Sequence, residues 1–404
     1  MAVGSVKFPV MHAVPGIQLG TSNAGIKQTE RDDILWIEMH EQSTCAAVFT
    51  QNAFCAAPVL VARENLQKNP KYLLINSGNA NAGTGKQGML DAVATCDAVA
   101  KLAEKKVEQV LPFSTGVIGE RLPVDKLIAA LPEAKKNKQE DNWGKAAHAI
   151  MTTDTFAKGY SKQVEIAGHT ITITGISKGA GMIQPNMATM LGFMATDAVI
   201  SQKNLQNCLS EAVEQSFNRI TVDGDTSTND ACVLMASGQS QLPELMPDTE
   251  EMQIFQQAIT EASMQLSEAI IRDGEGATKL IKINVQQAFD SAEAVQVAKT
   301  IAHSPLVKTA FFASDPNWGR ILAAVGRAGV HQLDVDKIAI YLGDVCIVEQ
   351  GACAASYTEQ AGQKIMDQEE ITVTVDLGRG NVSQQVLTCD FSYDYVRINA
   401  EYRT

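Results

Sequence analysis

Lys178-Gly179-Ala180-Gly181-Met182-Ile183-Gln184-Pro185-Asn186-Met187-Ala188-Thr189-Met190-Leu191 joins a glycine run, a proline and a small-residue junction inside an apolar segment. A buried core strand has no need of that order. A chain that cuts itself at Ala188-Thr189 and exposes a threonine nucleophile does. An internal threonine is a poor nucleophile, because its hydroxyl has no base and its nitrogen is an amide. Attack of the Thr189 hydroxyl on the Ala188 carbonyl gives an ester by N→O acyl shift, and water can cleave that ester. The product carries a free amine of pKa about 8, so one residue then supplies both nucleophile and base. Gly179 and Gly181 give the backbone the freedom such a shift needs. Taken alone, the same residues also describe a strand start behind a Gly/Pro turn.

Three other stretches bear on chemistry. In Pro112-Phe113-Ser114-Thr115-Gly116-Val117-Ile118-Gly119 a strand-like run enters a Ser-Thr-Gly turn. Such a turn can aim a hydroxyl and a backbone N–H at one point, as an oxyanion hole requires, or it is an ordinary polar turn. In Arg272-Asp273-Gly274-Glu275-Gly276-Ala277-Thr278-Lys279 the glycines flanking Glu275 hold a carboxylate at a helix end. It can accept hydrogen bonds from an amino-acid ammonium group, or be a solvated loop acid. Thr221–Asp230 opens like a calcium loop but lacks glycine at the sixth position and a chelating residue at the twelfth, Leu234. A hydrogen-bonded turn supporting a nearby site fits it better.

Other templates fail. Gly78–Lys86 resembles a phosphate loop, yet Ala80 stands where glycine is required and Gln87 where Ser/Thr is. Gly179-Ala180-Gly181 is followed by Gln184 where a dinucleotide fold wants glycine, and no GxSxG elbow occurs. The six histidines (12, 40, 148, 169, 303, 331) show no paired ligand spacing, and the eight cysteines form no close CxxC pair. No metal site is expected, and the thiols read as reduced and mostly buried.

A net charge of −13 over 404 residues argues against nucleic-acid binding. Met1–Gly20 has neither a basic n-region nor a long apolar h-region, and no run of eighteen apolar residues exists, so neither signal peptide nor membrane span is expected. Apolar spacing predicts helices over 86–105, after Ser201 as N-cap, and from Ile254 to Ala269. Strands are predicted at Tyr72–Asn76, His169–Ile176, Leu280–Val285, Ile338–Leu342 and Ile371–Val375, and a long strand or hairpin over Val386–Tyr402. Lys135–Asn142 and Leu242–Glu251 read as surface connections. Without a regular βαβ beat, the preferred class is α+β, with helices outside stacked sheets.

The stretches Pro112–Gly119, Lys178–Leu191, Thr221–Asp230 and Arg272–Lys279, with Asp315-Pro316-Asn317-Trp318-Gly319-Arg320 and the terminus Asn399–Thr404, span nearly the whole chain. Together, and in this order, they resemble the ornithine acetyltransferases, also called glutamate N-acetyltransferases, of the cyclic arginine pathway. The resemblance implies a four-layer α/β/β/α sandwich of the type shared with certain self-processing aminopeptidases. It implies cleavage at Ala188-Thr189 into an α chain (1–188) and a β chain (189–404) that stay associated as a cytoplasmic heterotetramer of two α and two β. Thr189 would be the nucleophile. The Thr115 side chain and Gly116 N–H would form the oxyanion hole. Thr155, Lys178, Thr189, Glu275, Asn399 and Thr404 would contact substrate. Gln184 stands where many relatives carry a small apolar residue, but it precedes the junction. The substrates would be N-acetylornithine and glutamate, with no bound cofactor or metal. Monofunctional and bifunctional members carry the same motifs, and the expectation adopted is use of acetyl-CoA as a second donor. The competing readings are a self-processing aminopeptidase or amidase, which would pass the acyl group to water, and a non-catalytic scaffold.

Overall fold

The computed structural model describes residues 3–4, 7–27, 30–184 and 190–401. Ala188, Thr189 and Thr404 therefore lie outside the described residues. The first part of the chain runs β1 (Ile17–Ser22), β2 (Ile34–Met39), β3 (Thr44–Phe49), α1 (Ala57–Asn65), β4 (Tyr72–Asn79), α2 (Gly85–Ala103), β5 (Val110–Val117), α3 (Val124–Lys136) and α4 (Trp143–Ala149). It continues β6 (Lys158–Ile166), β7 (His169–Lys178), β8 (Leu191–Thr196), α5 (Gln202–Gln215), β9 (Ala231–Ala236) and α6 (Glu250–Arg272). These strands make two sheets, of order β1-β2-β4-β5 and β3-β9-β8-β7-β6.

The two-residue period of the strands sorts their side chains into layers. Ile34 and Trp36 of β2 pack outward, with Tyr72 and Leu74, against Cys96 and Val99 of α2 and Leu127 and Leu131 of α3. The intervening Leu35 and Ile37 pack inward, with Ile75 and Phe113, against Ile176, Phe193 and Val233 of the second sheet. Phe113 meets Phe193 edge-on across this interface, ring centroids 5.3 Å apart. The far face of the second sheet carries Ile173, Met194 and Leu234, which bury Leu209 of α5 and Ile259 and Leu266 of α6. The order is helices, sheet, sheet, helices, which is the four-layer sandwich the resemblance implied.

Three helices follow the expected signals, with one difference. Ser201 caps α5 by accepting from the Asn204 N–H at 3.4 Å. α6 spans Glu250–Arg272, capped by Thr249. In α2 the buried stripe runs through Ala92, Thr95, Cys96 and Val99, whereas Val93 is exposed. Counting Val93 had rotated the expected face by about one position.

A third sheet was not foreseen as a separate layer. The chain continues β10 (Leu280–Ala288), α7 (Ser291–Ala302), α8 (Pro305–Phe312), α9 (Trp318–Gly326), β11 (Ala339–Leu342), β12 (Val345–Glu349), β13 (Ala352–Cys353), α10 (Glu359–Met366), β14 (Glu370–Asp376), β15 (Val382–Cys389) and α11 (Tyr393–Ala400). The strands pair in the order β13-β12-β11-β14-β10-β15 and share a core of their own with α7, α8 and α9, including Ile283, Val297, Phe311 and Val373. The long strand or hairpin expected over Val386–Tyr402 is instead the end of β15 followed by α11. Asp390 accepts from the Thr278 and Lys279 N–H groups at 2.8 and 2.9 Å. Ser392 then caps the helix by accepting from the Asp394 and Tyr395 N–H groups.

Candidate active site

β5 lies parallel to β4, with Thr115 opposite Ser77 and Gly116 opposite Gly78, and the register slips at Asn79. Such a slip re-aims the residues beside it. Gly116 has φ +137°, and a Cβ there would stand 2.2 Å from the Gly78 carbonyl carbon. Only glycine permits this approach of the two backbones. From the second sheet, the end of β7 brings Lys178 alongside, and its Nζ donates to Thr115 Oγ1 at 3.2 Å. Burial lowers the pKa of this ammonium.

These two strand ends open onto a cavity of about 300 Å³ lined by Thr115, Gly116, Lys178, Asp230, Glu275 and Asn399. Met190 and Leu191 line it as well. Glu275 sits on the turn after α6, and its N–H donates to the Ala180 carbonyl at 2.8 Å. Its carboxylate lies against Gly181, where a Cβ would stand 2.4 Å from the carboxyl group. Asn399 Nδ2 of α11 donates to Glu275 Oε2 at 2.9 Å. Burial raises the Glu275 pKa, opposed by hydrogen bonds from Thr153 and Asn399.

The loop 221–230 ties the two sheets to this cavity. The Thr221 hydroxyl donates to the Ile183 carbonyl at 2.9 Å, and Asp223 accepts from the Met182 and Ile183 N–H groups at 2.7 and 2.9 Å. Asn229 Nδ2 donates to the Ala80 and Ser114 carbonyls at 2.5 and 3.0 Å, which fixes the residue just before Thr115.

Beneath the site lies a buried ion cluster. Lys158 Nζ is 2.6 Å from both Asp154 Oδ1 and Asp273 Oδ2, all three side chains being at most 1% exposed. Asp154 also accepts from the Gly179 N–H at 2.7 Å and the Thr152 N–H at 2.8 Å. The cluster therefore clamps the segment after Lys178 to the 152–155 loop and to the turn carrying Glu275. Burial alone would raise the Asp154 pKa, but Lys158 and Lys178 pull it well below the usual carboxylate range.

The structure thus brings together Thr115, Gly116, Lys178, Glu275 and Asn399 from four separate stretches. Thr189 and Thr404 lie outside the described residues, as does Ala188. Thr155 is not among the lining residues. Its hydroxyl and N–H are committed to Asp273, and its neighbours Thr152 and Thr153 face the cavity instead. Residues that sequence reasoning missed are Asp154, Lys158, Asp273 and the cavity-lining Asp230. No local spacing marks them, since Lys158 and Asp273 are 115 positions apart. Among the described residues no cluster of His, Cys, Asp and Glu has a metal-holding arrangement, and no helix is long and apolar enough to cross a membrane.

A cavity of this size, whose described lining carries one cation, two carboxyls, four hydroxyls and two side-chain amides, suits a small zwitterionic ligand such as an amino-acid derivative. Known proteins were compared with this chain. A family model described as the ArgJ family matches residues 18–404. The arginine biosynthesis bifunctional protein ArgJ of Methylococcus capsulatus is 61% identical over 391 residues, 97% of this chain and 96% of that protein. Its counterpart in Pseudomonas fluorescens is 54% identical over 407 residues, covering 100% of both. Among solved structures, the arginine biosynthesis bifunctional protein of Bacillus halodurans superposes with a TM-score of 0.51 at 42% identity, covering 52% of this chain and 99% of that chain.

Proposed function

The chain belongs to the ArgJ family, and from that premise we propose how its cavity performs acetyl transfer. The protein is an ornithine acetyltransferase of arginine biosynthesis. In our reading Thr189, once freed from Ala188, attacks the acetyl carbonyl of N-acetylornithine while its own amine takes the hydroxyl proton. The Thr115 hydroxyl and Gly116 N–H hold the oxyanion, and the buried Lys178 ammonium beside Thr115 adds to that field. Lys178 also meets the α-carboxylate that both amino acids share, and Glu275 and Asn399 meet the remaining polar groups. Ornithine leaves, glutamate enters the same cavity, and its amine attacks the acetyl-threonine ester. No bound cofactor or metal has a role, and acetyl-CoA serves as a second donor.

The observation that carries this reading is the convergence of Thr115, Gly116, Lys178, Glu275 and Asn399 on one amino-acid-sized cavity. Met190, the residue bonded to Thr189, lines it too. Cleavage at Ala188-Thr189 is compatible with a stable fold, because the second sheet interleaves the two products. β3, β6 and β7 precede the junction, while β8 and β9 follow it and pair with β7 and β3. The Bacillus halodurans chain matches 52% of this one over 99% of its own length, a share close to that of residues 189–404. A cytoplasmic heterotetramer of two α (1–188) and two β (189–404) chains completes the proposal. An aminopeptidase would share the nucleophile, but it has no use for Lys178 and Glu275 facing one small ligand.

The test is a denaturing gel joined to a transfer assay. Purified protein should run as two bands split at Thr189 and should move acetyl from N-acetylornithine to glutamate. Thr189→Ala should give one band and no transfer. A single wild-type band that still transfers acetyl would refute the self-cleaved threonine as nucleophile.

A further inference from the structure

Among the described residues three ionisable side chains line the cavity, and two of them have protein partners. Lys178 donates to Thr115, and Glu275 accepts from Asn399. Asp230 differs. It is 4% exposed, and its Oδ2 is buried with no hydrogen-bond partner among the described residues. The Ser227 hydroxyl and N–H reach the carboxyl group, yet burial holds its pKa well above the usual carboxylate range.

The position of Asp230 is fixed on both sides. The preceding Asn229 donates to the Ser114 carbonyl at 3.0 Å, one residue before Thr115. The N–H of the following Ala231 donates to the Met190 carbonyl at 2.9 Å. Asp230 is thus held between the strand that carries the oxyanion pair and the strand that begins beside the nucleophile. Among the described residues the titratable groups facing it are Lys178 from β7 and Cys55 from the segment before α1.

Resting on the acetyl-transfer reading above, the proton balance of the reaction calls for one more group. When ornithine leaves, its nitrogen has received the threonine hydroxyl proton and needs a second to depart as an ammonium ion. Glutamate arrives as an ammonium ion and must shed a proton before its nitrogen can attack. In a double displacement these events are separated in time, so the group that gives the first proton must stay ionised until it takes the second.

We infer that Asp230 is the catalytic proton carrier of the two half-reactions, neutral at rest and ionised in the acetyl-enzyme. The carboxylic acid gives its proton to the departing ornithine amine and becomes a carboxylate. That carboxylate takes a proton from the incoming glutamate ammonium, leaving a neutral amine. The amine nitrogen bonds to the acetyl carbon, the C–Oγ bond of the ester breaks, and the second nitrogen proton returns to the threonine hydroxyl. Both protons are back where they began. The scheme also accounts for a buried carboxyl oxygen without a hydrogen-bond partner among the described residues, since its partner is the substrate ammonium.

The experiment acetylates the enzyme beforehand with N-acetylornithine and removes the ornithine. It then compares two acyl acceptors by the rate at which each discharges the acetyl-enzyme, so that ornithine release, which also draws on Asp230, does not enter. Hydroxylamine is already a neutral amine at pH 7 and needs no such carrier. In Asp230→Asn, discharge by glutamate should slow about 10²-fold or more, as for loss of a general acid–base group. Discharge by hydroxylamine should stay within about threefold of wild type on the same scale. Equal losses with both acceptors, or an unchanged glutamate rate, would overturn the inference. Should Asp230→Asn fail to fold or to self-cleave, Ser227→Ala tests the same point. Removing a hydrogen bond that favours the carboxylate should move the acid limb of the pH profile for discharge by glutamate to higher pH and leave the profile for discharge by hydroxylamine in place. A limb that stays put overturns the assignment. A wild-type enzyme that acetylates neither acceptor overturns the parent reading as well.

Discussion

Gly116→Ala separates the role of a backbone N–H from that of the surrounding fold. The added Cβ would meet the Gly78 carbonyl carbon at 2.2 Å, the Asn79 nitrogen at 2.5 Å and the Gly78 oxygen at 2.6 Å, all backbone atoms. Ordinary carbon contacts begin near 3.5 Å, so the ends of β4 and β5 must part by roughly 1 Å. Alanine at φ +137° adds backbone strain, worth about 1–3 kcal/mol, and overpacking costs about 1–3 kcal/mol more. A domain with a typical stability of about 5–15 kcal/mol still folds at low temperature. The same displacement takes the Gly116 N–H out of the narrow range an oxyanion donor needs, and turnover should fall about 10²–10³-fold. Gly119→Ala is the control. Gly119 also has positive φ, at +85°, but a Cβ there meets nothing within 4 Å. It should cost about 1–2 kcal/mol of stability and leave turnover nearly intact. The assay is kcat for acetyl transfer beside a urea midpoint for each variant. Gly116→Ala that folds and turns over within about fivefold of wild type would refute Gly116 as an oxyanion donor, the expected loss being far larger.

Two further outcomes test the support around the site. Lys158→Met leaves Asp154 and Asp273 buried without their shared cation, and should cost about 3–5 kcal/mol in a urea titration; a loss under about 1 kcal/mol, the size of a surface pair, would show that the cluster is not held as described. His303 has a buried Nε2 without a hydrogen-bond partner among the described residues and a pKa lowered to about 4 by burial, then by Lys299, Lys308 and Arg327. The unfolded chain binds that proton more readily, so stability should fall as pH drops from about 6.5 towards about 4, and His303→Gln should flatten that window. An unchanged slope in urea midpoints across it would refute the assignment.

Much of this was legible in the chain because it depends on neighbours in sequence. Helical spacing placed α5 and α6, since their caps and buried stripes are local. The Arg272–Lys279 stretch announced an unusual turn, because glycine in such company marks backbone that other residues cannot follow; the turn expected at Ser114-Thr115-Gly116 is instead the end of β5, paired with β4. Val93 and the segment after Cys389 misled for the same local reason. A helix face can be rotated by one residue without changing its spacing, and a strand stop made by Asp390 depends on amides at Thr278 and Lys279. The resemblance implied Thr155, and the structure shows its N–H and hydroxyl donating to Asp273, 118 positions away.

By itself the sequence determined the identity of the reactive pieces and their order: a scissile Ala-Thr junction in our reading, a Thr-Gly pair, a carboxylate between glycines and an asparagine near the terminus. Only the tertiary structure decided which of them meet. It did so through contacts more than a hundred residues apart, among them Lys158 with Asp273 and Asn399 with Glu275. The physical reason is that burial, unlike backbone propensity, is a property of the assembled sheets. Asp230 is an ordinary acid in the chain and becomes a carboxyl with an unmet oxygen only when two layers close over it.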